Sequence, residues 1–290
     1  MVKTGKSRAA AYASILLAAT LWGVIGIWNR TLMQAGLSPL SIVLVRNFGG
    51  CVLLSAVFAV KDRRVFAVKK EHLKYFFGTG VVSILFFTCC YFTCQQIASL
   101  AVASILLYTA PAFVVVLSAV LWKEAVTGRK LTALGLTLTG CALVCGVAGG
   151  DVHISLSGLM VGLGSGFFYA LYSIFGRYAL AHYDSMTVTV WTFLFAGPAS
   201  LVLIRPQELQ LLAQPKAALA ALVLVVFATV LPYLFYTGGL SRVEAGAASI
   251  IASVEPVVAA LVGAMVFNEP VNVMTGAGIL LVLAGVVILR

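Results

Sequence analysis

The sequence predicts an all-α integral membrane protein whose ten transmembrane helices form two five-helix repeats of inverted topology. Three observations support this prediction: the composition, the number of long apolar segments and an internal repeat. Of the 290 residues, 62% are hydrophobic and 10% are charged, whereas soluble proteins carry about 25% charged residues. In lipid only helices and closed barrels satisfy every backbone polar group. Long apolar runs without strict alternation exclude a barrel and favour helices.

Ten apolar segments approach or exceed the length of about 20 residues that a spanning helix needs. They cover residues 12–33, 38–60, 75–95, 100–122, 131–147, 157–180, 185–204, 217–240, 245–267 and 271–289. The connections between them are short and contain helix breakers such as Gly36, Pro39 and Pro270. We therefore number ten predicted spans in chain order.

The cations predict the orientation of these spans. If the N-terminus is cytoplasmic, 15 of the 19 lysines and arginines fall on the cytoplasmic side, as the positive-inside rule requires. Both termini are then cytoplasmic. The net charge of +10 does not indicate a nucleic-acid partner, because the cations sit mainly in short loops between apolar runs. Lys3, Lys6 and Arg8 precede a long apolar run without a cleavage site, which indicates a retained first span rather than a signal peptide.

The first half of the chain is repeated in the second half. Residues 102–124 match residues 247–269 at an offset of 145, through Ala103/Ala248, Ser104/Ser249, Ile105/Ile250, Pro111/Pro256, Ala119/Ala264 and Glu124/Glu269. Spans 1 and 6 match at an offset of 147, through Ile27/Ile174 and Arg30/Arg177. We expect repeats at residues 1–148 and 149–290. Five spans is an odd number, so the second repeat enters the membrane from the opposite side, as in many secondary transporters with a midplane site.

These motifs resemble one known family. Residues 111–113 (PAF) through 121–124 (LWKE), their counterparts 254–256 (VEP) through 266–269 (VFNE), and Arg46 in LVRNFGG are similar to the drug/metabolite transporter superfamily, specifically its ten-span EamA-type exporters. The resemblance implies export of amino acids or related metabolites, aromatic amino acids among them, across a bacterial cytoplasmic membrane. It also implies a cavity between spans 1 to 4 and 6 to 9, with spans 5 and 10 set apart. We expect no enzyme activity, catalytic residue, metal or cofactor.

Glu255 is the first candidate site residue. It lies about 15 Å along span 9, in the middle of a hydrocarbon core about 30 Å thick. An acid there costs about 2.5–3.5 kcal/mol and must face the bundle interior. The functional interpretation is a site for a substrate ammonium group or a coupling proton. The structural interpretation is a tie to a donor on another span.

Arg46, within span 2, has two similar interpretations. A guanidinium group suits a substrate carboxylate, but the side chain could also join two helices or reach outward to the interface. The region of the second repeat that corresponds to Arg46, Trp191-Thr192, carries no charge. The two halves therefore differ at this position.

Aromatic side chains and two prolines complete the candidate site. Aromatic residues in the transport path would suit aromatic substrates or hold a cation, whereas most such residues only pack or face lipid. Pro111 and Pro256 each free a carbonyl one turn back and bend their helices. The full candidate set comprises Trp22, Arg46, Tyr91, Tyr108, Pro111, Tyr169, Tyr172, Tyr236, Ser253, Glu255 and Pro256.

The motifs leave the substrate, the coupling ion and the oligomeric state open. The leading hypothesis is an exporter of small metabolites, coupled to protons or working by facilitated diffusion, in contact with membrane lipid. One alternative is a lipid-carrier or nucleotide-sugar translocator of the same superfamily, which would need more cations than Arg46 at its site. Another is an integral membrane enzyme, which would need an acid/base or metal cluster at one membrane face.

Overall fold

The computed structural model describes residues 5–146 and 154–289, and within these ranges the chain is helical without a strand. Eight helices are long and apolar enough to cross a membrane: Arg8–Gln34, Pro39–Lys61, Lys70–Ile97, Leu100–Trp122, Leu156–Leu180, Ser185–Leu203, Pro215–Leu240 and Ala245–Phe267. Gly128–Val144 and Val273–Ile288 are shorter, with 17 and 16 residues. They occupy the predicted positions of spans 5 and 10. The all-α, ten-helix prediction is confirmed, while the boundary at residues 148 and 149 lies outside the described residues.

Spans 4 and 9 repeat each other in their backbone as well as in their sequence. Each consists of an eight-residue helix and a thirteen-residue helix: Leu100–Leu107 and Ala110–Trp122 in span 4, Ala245–Ala252 and Glu255–Phe267 in span 9. Each ends on a residue with a left-handed backbone, Lys123 (φ 53°) in span 4 and Asn268 (φ 54°) in span 9. Left-handed residues other than glycine are uncommon, so their recurrence at an offset of 145 makes the sequence repeat a structural one.

Other spans begin with matched caps. The side chain of Ser38 before span 2 and that of Asp184 before span 7 each accept a hydrogen bond from the backbone N–H three residues further on. Thr127 before span 5 and Asn272 before span 10 do the same. Such caps satisfy one of the N–H groups that a helix start leaves free. The repeat is therefore encoded at the helix ends as well as in the apolar segments.

Spans 3 and 8 each contain a π-helical segment, Gly78–Leu85 and Val226–Val230. Span 1 is interrupted at Val24, whereas the corresponding span 6 is a continuous helix of 25 residues. Such irregular turns are frequent at functional sites. Because span 6 has no such break, the interruption in span 1 departs from the repeat symmetry.

Spans 5 and 10 pair through glycines. A Cβ atom added at Gly140 would lie 2.7 Å from the carbonyl oxygen of Gly278, and one added at Gly278 would lie 2.7 Å from the carbonyl oxygen of Gly140. Only glycine permits this approach, which is typical of helix pairs in lipid. The contact joins the last helices of the two repeats.

We expect Glu208→Gln to destabilise the folded protein by about 1–2 kcal/mol. Glu208, in the loop between spans 7 and 8, accepts a hydrogen bond from the N–H of Ser38 at 2.6 Å, where span 2 begins. Burial alone would raise the pKa of Glu208, but donors from Ser38, Ser41 and Arg205 lower it to about 2. A hydrogen bond to a charged group contributes about 1.5–3 kcal/mol, and solvent screening reduces this. Thermal unfolding in detergent at pH 7 measures the loss.

The low pKa of Glu208 also determines how its contribution to the free energy of unfolding depends on pH. Its contribution is complete above the ordinary carboxyl pKa of 4.5 and is lost as the pH falls towards 2. The difference in unfolding temperature between wild type and Glu208→Gln should therefore shrink as the pH falls from 5 to 3. A constant difference would contradict this assignment.

Candidate functional site

The breaks in spans 4 and 9 position the candidate site. Each break is followed by a helix with proline at its second residue, Pro111 in one and Pro256 in the other. Proline is tolerated there because the first turn of a helix has no intrahelical partner for its N–H groups. Glu255 is therefore the first residue of a helix segment, where the helix dipole favours a negative charge. Ala110 occupies the same place in span 4.

Two glycines let neighbouring spans touch these breaks. A Cβ atom added at Gly166 of span 6 would lie 2.6 Å from the carbonyl oxygen of Leu106, at the break in span 4. One added at Gly23 of span 1 would lie 2.9 Å from the carbonyl oxygen of Glu255, at the break in span 9. Each broken helix is thus held at its break by a span of the opposite repeat.

We expect Gly166→Ala to lower the free energy of unfolding by about 1–3 kcal/mol, the usual cost of overpacking. The new methyl group would lie 2.5 Å from Thr109 Oγ1 and 2.6 Å from the carbonyl oxygen of Leu106, and the backbone carbonyl cannot move aside. Gly164→Ala on the same span is the matched control, because its Cβ atom would lie 3.6 Å from Cys90 Sγ, an ordinary contact. Thermal unfolding of both variants tests this prediction. Equal behaviour of the two variants would contradict it.

An acid, a base and two tyrosines meet between spans 2, 4, 6 and 9. The hydroxyl groups of Tyr108 and Tyr169 lie near the carboxylate of Glu255, and the charge of Arg46 acts on the same carboxylate. The Arg46 Nε atom donates a hydrogen bond to Thr229 Oγ1 at 3.2 Å, within the π-helical segment of span 8. Arg46, Tyr108, Tyr169 and Glu255 all keep part of their surface exposed. An acid and a base inside a largely apolar helix bundle make this group the candidate binding site.

A packed aromatic cluster lies beside this group. Trp22 contacts Tyr233 edge-on, with ring centroids 5.2 Å apart, and Tyr236 at 5.5 Å. Tyr172 packs against both tyrosines. All four rings are buried, and with Tyr169 they line a cavity of about 20 Å³, enough for about one water molecule.

The cluster is fixed by hydrogen bonds between spans 6 and 8. The Tyr172 hydroxyl pairs with Thr237 Oγ1 at 2.7 Å, and the Tyr236 hydroxyl pairs with Ser173 Oγ at 2.7 Å. Buried tyrosine hydroxyls with such partners hold their rings in place. Trp22, Tyr172 and Tyr236 therefore form a rigid wall, whereas the hydroxyl groups of Tyr108 and Tyr169 lie near Glu255.

The remaining candidates have different environments. Tyr91 is half-buried and shares a hydrogen bond of 3.2 Å with Ser104 of span 4. Ser253 is buried, and its hydroxyl donates to the carbonyl oxygen of Ser249. Pro111 and Pro256 are buried and start their helix segments. These four residues shape the breaks more than they expose polar atoms.

Sequence reasoning missed two members of the site. Thr229 holds the Arg46 side chain, and Tyr233 lies at the centre of the aromatic cluster. Nothing in the pattern singles out Thr229 among the threonines of the spans. Tyr233 follows Pro232 in LPYLFY, and the proline was a signal that could have drawn attention to it.

Metal binding finds no support in the part of the chain that the structure describes. No group of three or more His, Cys, Asp or Glu side chains there could hold a metal ion. The six cysteines are unpaired thiols.

The fold and the site define a class of protein. The described residues form eight membrane-spanning helices and two shorter ones, in two inverted repeats with polar groups at two broken helices. These are the features of a secondary membrane transporter. A family model described as the EamA-like transporter family matches residues 9–146 and 156–290. The chain belongs to this family, whose members are transporters and not enzymes, as the sequence motifs predicted.

Curated relatives agree with this assignment. An uncharacterized transporter of Archaeoglobus fulgidus is 30% identical over 95% of this chain and 94% of its own length. The uncharacterized inner membrane transporter YicL of Salmonella typhimurium is 25% identical over 95% and 93%. A probable amino-acid metabolite efflux pump of Salmonella typhimurium is 26% identical over 64% and 66%.

One solved crystal structure has the same fold. It superposes with a TM-score of 0.82 at 16% identity, covering 97% of this chain and 96% of the other. The family and the apolar helices, taken together, make the protein a multi-pass membrane transporter for a small molecule.

Proposed function

We propose that this transporter exports zwitterionic amino acids, including aromatic ones, by alternating access across the cytoplasmic membrane. Glu255 binds the substrate ammonium group, and Arg46 binds its carboxylate. Tyr108 and Tyr169 complete the site with their hydroxyls. The packed wall that includes Trp22 faces an apolar or aromatic substrate side chain.

One observation carries this proposal: the carboxylate of Glu255 and the guanidinium group of Arg46 both lie near the Tyr169 hydroxyl group inside the helix bundle. An α-amino acid carries both opposite charges within a few ångströms, so it can satisfy both side chains at once. Nucleotide sugars and lipid-linked phosphates carry excess negative charge, which Glu255 would repel. The similarity to a probable amino-acid metabolite efflux pump points to the same substrate class.

The proposed direction of transport and the proposed orientation in the membrane rest on the distribution of lysine and arginine. The excess of lysine and arginine in the loops between spans 2 and 3 and between spans 4 and 5 supports cytoplasmic loops and cytoplasmic termini. Under this proposal the membrane is the cytoplasmic membrane of a prokaryotic cell. Substrate then leaves through the face that carries the loop of Glu208.

Counterflow into proteoliposomes tests the substrate class. Liposomes loaded with one unlabelled amino acid should accumulate the same labelled amino acid only when they contain the protein. A panel of neutral, aromatic and charged amino acids ranks the substrates. A pH gradient, imposed or collapsed, separates proton exchange from facilitated diffusion.

The same vesicles test the alternative. If no amino acid exchanges while a nucleotide sugar or a phosphorylated lipid carrier does, the proposed substrate class is wrong. Matched arms with the decarboxylated amine and with the free carboxylic acid show whether both charges are needed. Equal transport of all three forms would argue against the paired roles of Glu255 and Arg46.

A further inference from the structure

Two clusters of matched residues lie at opposite ends of the bundle. In one, Arg177 at the end of span 6 pairs with Glu124, which follows span 4, at 2.6 Å. In the other, Arg30 of span 1 pairs with Glu269, which follows span 9. Glu124 and Glu269 correspond at an offset of 145, and Arg30 and Arg177 correspond at an offset of 147. The two ion pairs are therefore related by the inverted repeat.

The aromatic residues beneath the arginines match as well. The Arg177 guanidinium lies 5.0 Å from the centre of the Trp122 ring, and that of Arg30 lies 4.0 Å from the centre of the Phe267 ring. Trp122 and Phe267 again differ by 145 positions. Each cluster is thus an arginine that both pairs with a glutamate and stacks on a ring.

Every one of these ion pairs joins one repeat to the other. Arg30 and Glu124 belong to the first repeat, whereas Arg177 and Glu269 belong to the second. Alternating access requires the two repeats to separate at one end while they stay together at the other. Such a movement must break the ion pairs at one end first and those at the other end later.

The clusters differ in burial and in size. The Glu124 side chain is 5% exposed, whereas those of Arg30 and Glu269 are about half exposed. The buried cluster also contains Lys130, whose Nζ atom lies 3.7 Å from Glu124 and 2.9 Å from Glu244. The positions that correspond to Lys130 and Glu244 at the other end are Thr275 and Ser99. The second cross-repeat pair is therefore present at one end and not at its counterpart.

Lys130 is the buried cation of this cluster. Lys130 lies in the first turn of span 5 and is 7% exposed. It also donates to the carbonyl oxygen of Ala125 at 3.1 Å. A lysine is seldom buried unless it is paired, and the two carboxylates supply the partners.

We propose that the Glu124–Arg177 and Glu269–Arg30 clusters are the inner and outer gates of the transport cycle, opened one at a time. The additional Lys130–Glu244 pair makes the inner gate the stronger one, so the resting protein is closed on the cytoplasmic side. This inference rests on the proposed alternating-access function. Arg30, Glu124, Arg177 and Glu269 thereby become transport residues that do not contact the substrate.

Spin-label distances across each gate test the proposal without any substrate. In a background in which the six cysteines are replaced, one label pair reports on the inner end, at Val126→Cys and Ala181→Cys. The other pair reports on the outer end, at Gln34→Cys and Val271→Cys. All four positions are exposed, and the repeat relates the two pairs to each other.

Glu124→Gln should open the inner end. We expect the population with a long inner distance and a short outer distance to rise about tenfold, because one partner of a buried pair is lost. Glu269→Gln should produce the reverse change, and a smaller one, because exposed ion pairs are weak. Lys69→Gln removes a surface contact with Glu71 inside one repeat and should change neither distance.

Glu244→Gln gives a second, milder test of the inner gate, since Glu244 is half exposed and its variant keeps the Glu124–Arg177 pair. It should shift the same populations in the same direction as Glu124→Gln. Unchanged distance distributions in both inner variants, or a uniform broadening at both ends, would overturn the gate assignment. If the distances change as expected but the protein exchanges no amino acid, the gate assignment is supported and the proposed substrate class is wrong. If the protein exchanges amino acids but the distances do not change, the substrate class is supported and the gate assignment is wrong.

Discussion

Replacing Glu255 with glutamine is expected to abolish amino-acid transport while leaving the ten-helix fold intact. Glutamine keeps the size of the side chain and still offers an oxygen to Tyr108 and Tyr169, but it cannot pair with an ammonium group. Loss of one partner of a buried charge pair costs about 2–5 kcal/mol, so substrate affinity should fall about 30-fold or more. Substrate-induced thermal stabilisation and vesicle uptake measure the two losses. The unfolding temperature without substrate should stay the same or rise, because an acid within the membrane is itself costly.

Counterflow separates the two roles that the sequence left open for Glu255. If the carboxylate binds the ammonium group, both uptake and counterflow disappear in Glu255→Gln. If it carries only a coupling proton, counterflow persists and only accumulation driven by a pH gradient is lost. Glu71→Gln is the control, because Glu71 is exposed and distant in sequence from the breaks. Undiminished uptake and counterflow in Glu255→Gln would exclude both roles.

Replacing Arg46 with glutamine is expected to remove the preference for substrates that carry a carboxylate. The wild type should bind an aromatic amino acid far more tightly than its decarboxylated amine, because the amine leaves the guanidinium group without a partner. In Arg46→Gln that preference should shrink by about tenfold to a hundredfold. Arg46→Lys should restore little of it, since an ammonium group cannot form the paired hydrogen bonds of a guanidinium group. Competition binding with both ligands provides the measurement.

The Arg46 result has its own control in Thr229. Thr229→Val removes the hydrogen bond that holds the arginine side chain but keeps the charge. We expect a smaller loss of affinity and an unchanged order of preference between amino acid and amine. If Arg46→Gln behaves like Thr229→Val, the arginine joins helices rather than reading the carboxylate.

The fold followed from the sequence because each of its determinants is local. Apolar length set the spans, and Pro111 and Pro256 located the breaks to within a few residues. Span 2 starts next to its predicted first residue, Ser38, whereas span 5 starts at Gly128, three residues before its predicted start. The π-helical segments and the interruption at Val24 did not follow, because they depend on packing between spans that are distant in sequence.

The site was only partly predictable for the same reason. Glu255 was conspicuous because an acid stands out within an apolar segment, and its position at a helix start follows from Pro256. The environment of Tyr172 was not predictable, because its partner Thr237 lies 65 positions away. The matched pairs Glu124/Glu269 and Arg30/Arg177 were visible as repeat landmarks. Their contact with one another emerged only from the packing of one repeat against the other.

The matched breaks of spans 4 and 9 explain an advantage of having both repeats in a single polypeptide. Two identical five-helix subunits, inserted in opposite orientations, would place the same residue at both breaks. They would carry two carboxylates in one apolar cavity, at about 2.5–3.5 kcal/mol each with mutual repulsion, or none at all. Joining the copies in one gene allowed Glu255 and Ala110 to diverge. A single acid can then face a single ammonium group, so the covalent link gives the cavity a polarity that a symmetric dimer could not have.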